Sequence, residues 1–217
     1  MKKFLIFALC GIFALSACER KKNVKPEVPQ ADTTEVVAPF LDVEHIIGLD
    51  REIMYAQYQQ DFRWYETCVT LDNYLDDEEN EANVTSVSNI FMYAVDKADE
   101  CYDTYVVLFA HTQDTTVIDV KEYAFWVGDQ PLNNAEIDIT FAEAYQRLLE
   151  TDVIKPHSKQ CVLRKELGPT PCNPQYIFGN VQSQLYVDAV TGEVSISNPA
   201  YKGYEDKLIL REPVEWP

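Results

Sequence analysis

Glycine and positive charge are both scarce in this chain. Seven glycines in 217 residues exclude collagen-like and glycine-rich repeat architectures. Eighteen Lys and Arg stand against 36 Asp and Glu, a formal net charge of −18. Phosphate binding needs clustered cations, so this balance argues against a nucleic-acid partner. Only three histidines occur, His45, His111 and His157, and none pairs at the i, i+4 spacing of a helical zinc site. Each is read as a structural or surface residue. H-E-x-x-H, G-x-S-x-G, a Walker loop, G-x-G-x-x-G and C-x-x-C are all missing. No apolar run reaches the ~20 residues that a membrane-spanning helix needs. The sequence therefore offers no catalytic residue, no metal site and no cofactor.

What is present builds a core. Hydrophobic residues make up 47% and aromatics 12%, more than a disordered chain carries. The amino terminus carries an address. Met1-Lys2-Lys3 is a positive start, Phe4 to Ala14 an apolar run, and Leu15-Ser16-Ala17-Cys18 a small-residue end. That order defines a secretory signal over residues 1–17. The tetrapeptide ending at Cys18 resembles the bacterial lipobox, which implies acylation of Cys18 and anchoring in the lipid bilayer of the cell envelope, at the outer membrane, on its periplasmic or surface face. Stable anchoring takes more than one acyl chain. Residues 18–38, with three lysines, two prolines and few large apolar side chains, read as an extended tether.

Four cysteines remain beyond the signal and the lipidated position: Cys68, Cys101, Cys161 and Cys172. An even count in an exported domain reads as two disulfides. Three connectivities are open, and the local pairs Cys161–Cys172 and Cys68–Cys101 are favoured.

Along the chain, residues 39–130 read as an α+β region. Asp42 and Asp50 are expected to cap two short helices separated by Gly48. Strands are expected at Asp61 to Leu71, Val87 to Val95, Tyr102 to His111 and Val117 to Val127. In the first, Arg63, Tyr65, Thr67, Val69 and Leu71 share one face. The acidic run Asp72 to Glu81 lacks the spacing of a calcium loop and reads as solvated. A cluster of turn residues, Gly128 to Asn134, suggests a domain boundary near 130.

Residues 131–200 are better specified. Ile137 to Ile139 reads as a short strand. Thr140-Phe141-Ala142-Glu143 is a capping box, followed by a helix to about Glu150 with Phe141, Ala144, Tyr145, Leu148 and Leu149 on one stripe. Strands are expected at Cys161 to Leu167, Gln175 to Gly179, Gln184 to Asp188 and Val194 to Ser197. Val190-Thr191-Gly192-Glu193 is a tight turn with Gly192 free to take positive φ. The fold class is α+β, antiparallel sheets with packed helices, and residues 201–217 are a carboxy-terminal extension.

Ile139 to Ala144 and Tyr186 to Val194 resemble the two ends of a PepSY domain, a helix opening T-x-x-E-A and a final hairpin V-D-A-x-T-G-x-V. The resemblance rests on Thr140, Glu143, Asp188, Thr191 and Gly192. PepSY modules occur in propeptides of thermolysin-type metalloproteases and in exported bacterial proteins, where they bind or restrain partners and carry no catalytic residues. The resemblance thus implies a binding module, in one form peptidase-regulating, whose partner is an envelope protein or peptide. The alternatives are an envelope hydrolase and a carbohydrate-binding component. Residues 39–130 have the helix-then-strands order of a second copy, without a residue repeat. An open edge strand over a filled core favours the binder; an aromatic cleft with two facing carboxylates favours the enzyme.

Overall fold

The structure, a computed structural model, describes residues 41–58, 62–77, 82–96, 102–123 and 129–203. The signal, the tether, Cys18, Cys101 and residues 204–217 of the extension lie outside the described residues.

Helix α1 runs Val43–Tyr58. Asp42 caps it, its Oδ1 accepting the His45 N–H at 2.8 Å. The helix continues through Gly48 and Asp50 without a break, which corrects the two short helices read from sequence. A lone glycine costs about 1 kcal/mol in a helix, less than burial of Val43, Ile46, Ile47 and Met54 on one face returns. Four strands follow: β1 (Phe62–Leu71), β2 (Val84–Asp96), β3 (Tyr102–Thr112) and β4 (Thr116–Tyr123). After a two-residue strand β5 (Asp129–Gln130) comes helix α2 (Phe141–Glu150). The last strands are β6 (Gln160–Glu166), β7 (Gln175–Asn180), β8 (Ser183–Asp188) and β9 (Val194–Ser195). Ile137 to Ile139 forms no strand. Its Asp138 and Ile139 N–H groups both reach the Ala189 carbonyl instead, at 2.9 and 3.0 Å.

All the strand pairs are antiparallel. The sheet order is β4-β3-β2-β1-β6-β7-β8-β9, with β5 beside β6. A helix followed by four antiparallel strands thus occurs twice, and the first strands of the two runs, β1 and β6, pair at the centre of one sheet. The boundary expected near 130 is therefore not a division between domains. Residues 39–130 and 131–200 share this sheet, because the β1–β6 ladder joins them along five register positions. Among the described residues the architecture is mainly antiparallel sheet with two helices, a loose α+β arrangement.

Directly paired residues share a face, and the pairs Val69↔Val87, Phe91↔Val107, Cys161↔Phe178 and Tyr176↔Val187 define the buried one. Both helices close the same core, with Met54 of α1 and Leu148 of α2 fully buried in it. Strand β1 departs from strict alternation. A register shift between Trp64 and Glu66 turns Trp64 to the side of Thr67, Val69 and Leu71, whereas alternation alone put it opposite. On α2, Phe141, Ala144 and Leu148 are buried, while Leu149 is 39% exposed and leaves the expected stripe. No helix among the described residues is long and apolar enough to cross a membrane.

Candidate functional site

The residues of the family resemblance occupy structural positions. Thr140 Oγ1 accepts the Glu143 N–H at 3.2 Å, and Glu143 Oε2 accepts the Thr140 N–H at 2.8 Å. The Thr140 N–H, and after it the Thr140 hydroxyl donating to the same oxygen at 2.9 Å, hold the Glu143 carboxyl below its usual range. Asp188 ends β8 and folds the next turn, its Oδ1 accepting from the N–H groups of Val190 and Thr191, both at 2.9 Å. Gly192 follows at φ 73°, where glycine is favoured. Burial alone would raise the Asp188 carboxyl. The N–H groups of Thr191 and Val190, with the Asn173 and Gln175 amides, outweigh it and hold the carboxyl low. Its oxygens are already spent on these donors.

Asp188 also lines a cleft of about 420 Å³ with Cys172, Gln175, Glu193, Ser195 and Lys202. The lining of this cleft includes the Asp188 and Glu193 carboxylates and no aromatic side chain.

Cys161 and Cys172 do not pair as expected. Cys161 sits at the start of β6 opposite Phe178, whereas the Cys172 sulfur lies 4.0 Å from the Glu166 carbonyl at that strand's far end. Five residues of strand separate the two ends by about 16 Å, against the ~7 Å limit between Cα atoms for a bridge. Cys68, Cys161 and Cys172 are all free thiols, and the Cys161–Cys172 pair is corrected; Cys101 lies outside the described residues. Burial, with the Glu66 carboxylate 3.0 Å away, pushes the Cys68 thiol up to about 12. Burial raises Cys161 and Cys172 as well. Raised thiols hold little thiolate and are poor nucleophiles.

A chain of buried polar side chains runs through the core. Asp50, fully buried, accepts from Asn89 Nδ2 at 2.7 Å and contacts His111 Nε2 at 2.9 Å. His111 Nδ1 meets Thr116 Oγ1 at 3.1 Å. On the other side Thr67 Oγ1 donates to Asn89 Oδ1 and accepts from Trp64 Nε1, the latter at 3.1 Å. The chain ties α1 to β1, β2, β3 and β4 through the core. Asp50 is thus not the helix cap the sequence suggested. The available signal was an aspartate in the middle of a helical pattern, on the turn between Ile47 and Met54.

His157 is a surface residue, as read, stacked on Tyr74 at 3.9 Å and 3.0 Å from Asp76. It helps pin the described part of the acidic loop to residues 155–159. Among the described residues no cluster of three or more His, Cys, Asp or Glu is placed to hold a metal.

Among the described residues strand β4 ends the sheet. It bonds β3 along eight register positions and no other strand among the described residues. Val117 is 56% and Val120 37% exposed on it, on opposite faces. Compared with known proteins, the chain matches no family model, no curated protein and no solved structure.

Proposed function

We propose that this chain is a lipoprotein of the bacterial cell envelope, anchored through acylated Cys18 at the outer membrane, whose folded part binds a protein or peptide and carries no chemistry of its own. The observation that supports binding is the β4 edge. An unpaired strand presents a row of N–H and C=O groups that an extended peptide satisfies by adding as a further strand. Val117 and Val120 supply apolar contact on either side of that row. Asp119 and Lys121, paired at 2.9 Å, put charge on the edge, which discourages indiscriminate pairing.

Residues 131–200 are read as a PepSY-like domain. Its Thr140–Glu143 box starts the helix and its Asp188–Gly192 turn closes the hairpin, the two structural duties that the motif residues have in that family.

A photo-crosslinking residue at Val120, expressed in the full chain in intact cells, tests the edge. Specific adducts are expected from Val120 and not from Ile154, which is 90% exposed outside any strand. Identical adducts from both positions, or none from Val120, would remove the edge-binding reading. For the anchor, an alkyne fatty acid should label the wild type and not Cys18→Ser. Equal labelling would remove the lipoprotein reading.

A further inference from the structure

Four arginines lie in the described residues: Arg51, Arg63, Arg147 and Arg164. Arg164 is engaged by Asp129 and Glu166, and the Arg147 guanidinium lies over Gly192. Arg51 and Arg63 have no carboxylate within 4.0 Å among the described residues. In a chain with twice as many acids as cations, two guanidiniums without a carboxylate partner among the described residues are unexpected. Both line the same cleft, of about 200 Å³.

The fold assembles that cleft from three segments. Arg51 and Tyr55 lie at i and i+4 on α1 and so share one helix face. Phe62, Arg63 and Trp64 open β1. Leu132 closes the floor, its N–H donating to the Trp64 carbonyl at 2.7 Å. The aromatic side chains of the cleft are held by their own contacts. Trp64 is 4% exposed with its indole N–H committed to Thr67, and Tyr55 meets Phe62 edge-on at 4.7 Å.

Two like charges facing one small cleft repel, and an anion seated between them relieves that repulsion. The planar guanidinium fork fits the two oxygens of a carboxylate. The net charge of −18 repels polyanions at long range, so a singly charged group is disfavoured least. The cleft is smaller than the ~300 Å³ at which drug-sized pockets begin, which leaves room for a group of about one residue. Its aromatic walls suit an apolar or aromatic body. We propose that this cleft binds a carboxylate carried on an apolar or aromatic group, as at the end of a peptide chain or in a small aromatic acid. The site is separate from the β4 edge and does not depend on it.

The test is an NMR titration of the full chain in detergent with N-acetylphenylalanine and with its uncharged amide. The acid is expected to shift the Arg51 and Arg63 Nε–H and the Trp64 indole signals, at about millimolar affinity. The amide should bind about tenfold more weakly or worse. Arg51→Gln and Arg63→Gln should each weaken the acid by a similar factor with the thermal midpoint unchanged. Tighter binding of a short peptide ending in Phe assigns the site to chain termini; equal binding assigns it to small aromatic acids. Either result supports the carboxylate site. No shifts up to about 10 mM, equal binding of acid and amide, or wild-type affinity in both variants overturns it.

Discussion

Asp50 of α1 and His111 of β3, 61 residues apart in the chain, meet in the core with Nε2 2.9 Å from Oδ1. Both are buried, at 0% and 4% exposure. Removing either side chain takes one hydrogen bond from the other in a site closed to water, which costs about 1–3 kcal/mol. Asp50→Ala and His111→Ala should each destabilise by that order in urea unfolding. The double variant should cost at least ~1 kcal/mol less than the sum, since the two side chains act as one unit. Strict additivity would show that the contact contributes nothing.

Two glycines should respond in opposite directions. Gly192 sits at φ 73°, and a Cβ there would come within 2.4 Å of the Arg147 guanidinium carbon. The side chain can move, but the backbone conformation disfavours a β-branched residue, so Gly192→Val should cost about 1–3 kcal/mol. Gly48 lies inside α1 with nothing within 4 Å of an added Cβ. Gly48→Ala should stabilise by about 1 kcal/mol. Thermal midpoints of the two variants settle both signs.

Asp129 gives the clearest pH dependence. Burial first, then the Glu66 and Glu166 carboxylates, push it up to about 6 against the pull of Arg164. A carboxyl raised in the folded state disfavours folding when ionised. The penalty is full above about 6 and disappears as pH falls toward the ordinary aspartate range. Asp129→Asn should therefore stabilise at pH near 7.5 by on the order of 1 kcal/mol and change little near pH 4. A carbon-13 titration of the Asp129 carboxyl with its midpoint near 4 would contradict this.

Thiol labelling separates the cysteines by burial. Cys172 is half-buried and Cys161 buried. Iodoacetamide on the native chain should modify Cys172 slowly and Cys161 only after unfolding, because both thiols are raised. Recovery of a Cys161–Cys172 disulfide would be incompatible with the positions of the two residues at opposite ends of β6.

The α2 cap offers a local control. Thr140→Ala removes the acceptor for the Glu143 N–H and should cost about 1 kcal/mol. It should also let the Glu143 carboxyl rise part of the way toward its usual range, since the hydroxyl bond is lost while the larger backbone N–H contribution of residue 140 remains. An unchanged Glu143 titration in that variant would show that the box does not act on the carboxylate.

Much of the local structure was legible because it is encoded by near neighbours. The Thr140–Glu143 box, the α2 stripe and the Asp188–Gly192 turn each depend on residues within five positions. The β strands were likewise readable from β-branched and aromatic runs. Three kinds of feature were not, and each has a non-local cause. The bulge at Trp64 is set by the partner strand β2, so alternation within β1 misassigned its face. The continuity of α1 through Gly48 is decided by the sheet it packs on, which outweighs the intrinsic propensity of one residue. Pairing of β1 with β6 joins residues about a hundred positions apart, so a local break near 130 was mistaken for a boundary. Residue type and short spacing suffice for the long strands, the Asp42 and Thr140 caps, the Asp188–Gly192 turn and the acidic charge balance. That Asp50 meets His111, that Cys161 and Cys172 stay apart, and that Arg51 and Arg63 line one cleft follows from the tertiary fold alone. Those outcomes depend on which strands lie side by side, a choice made by burial of the whole core rather than by any one segment.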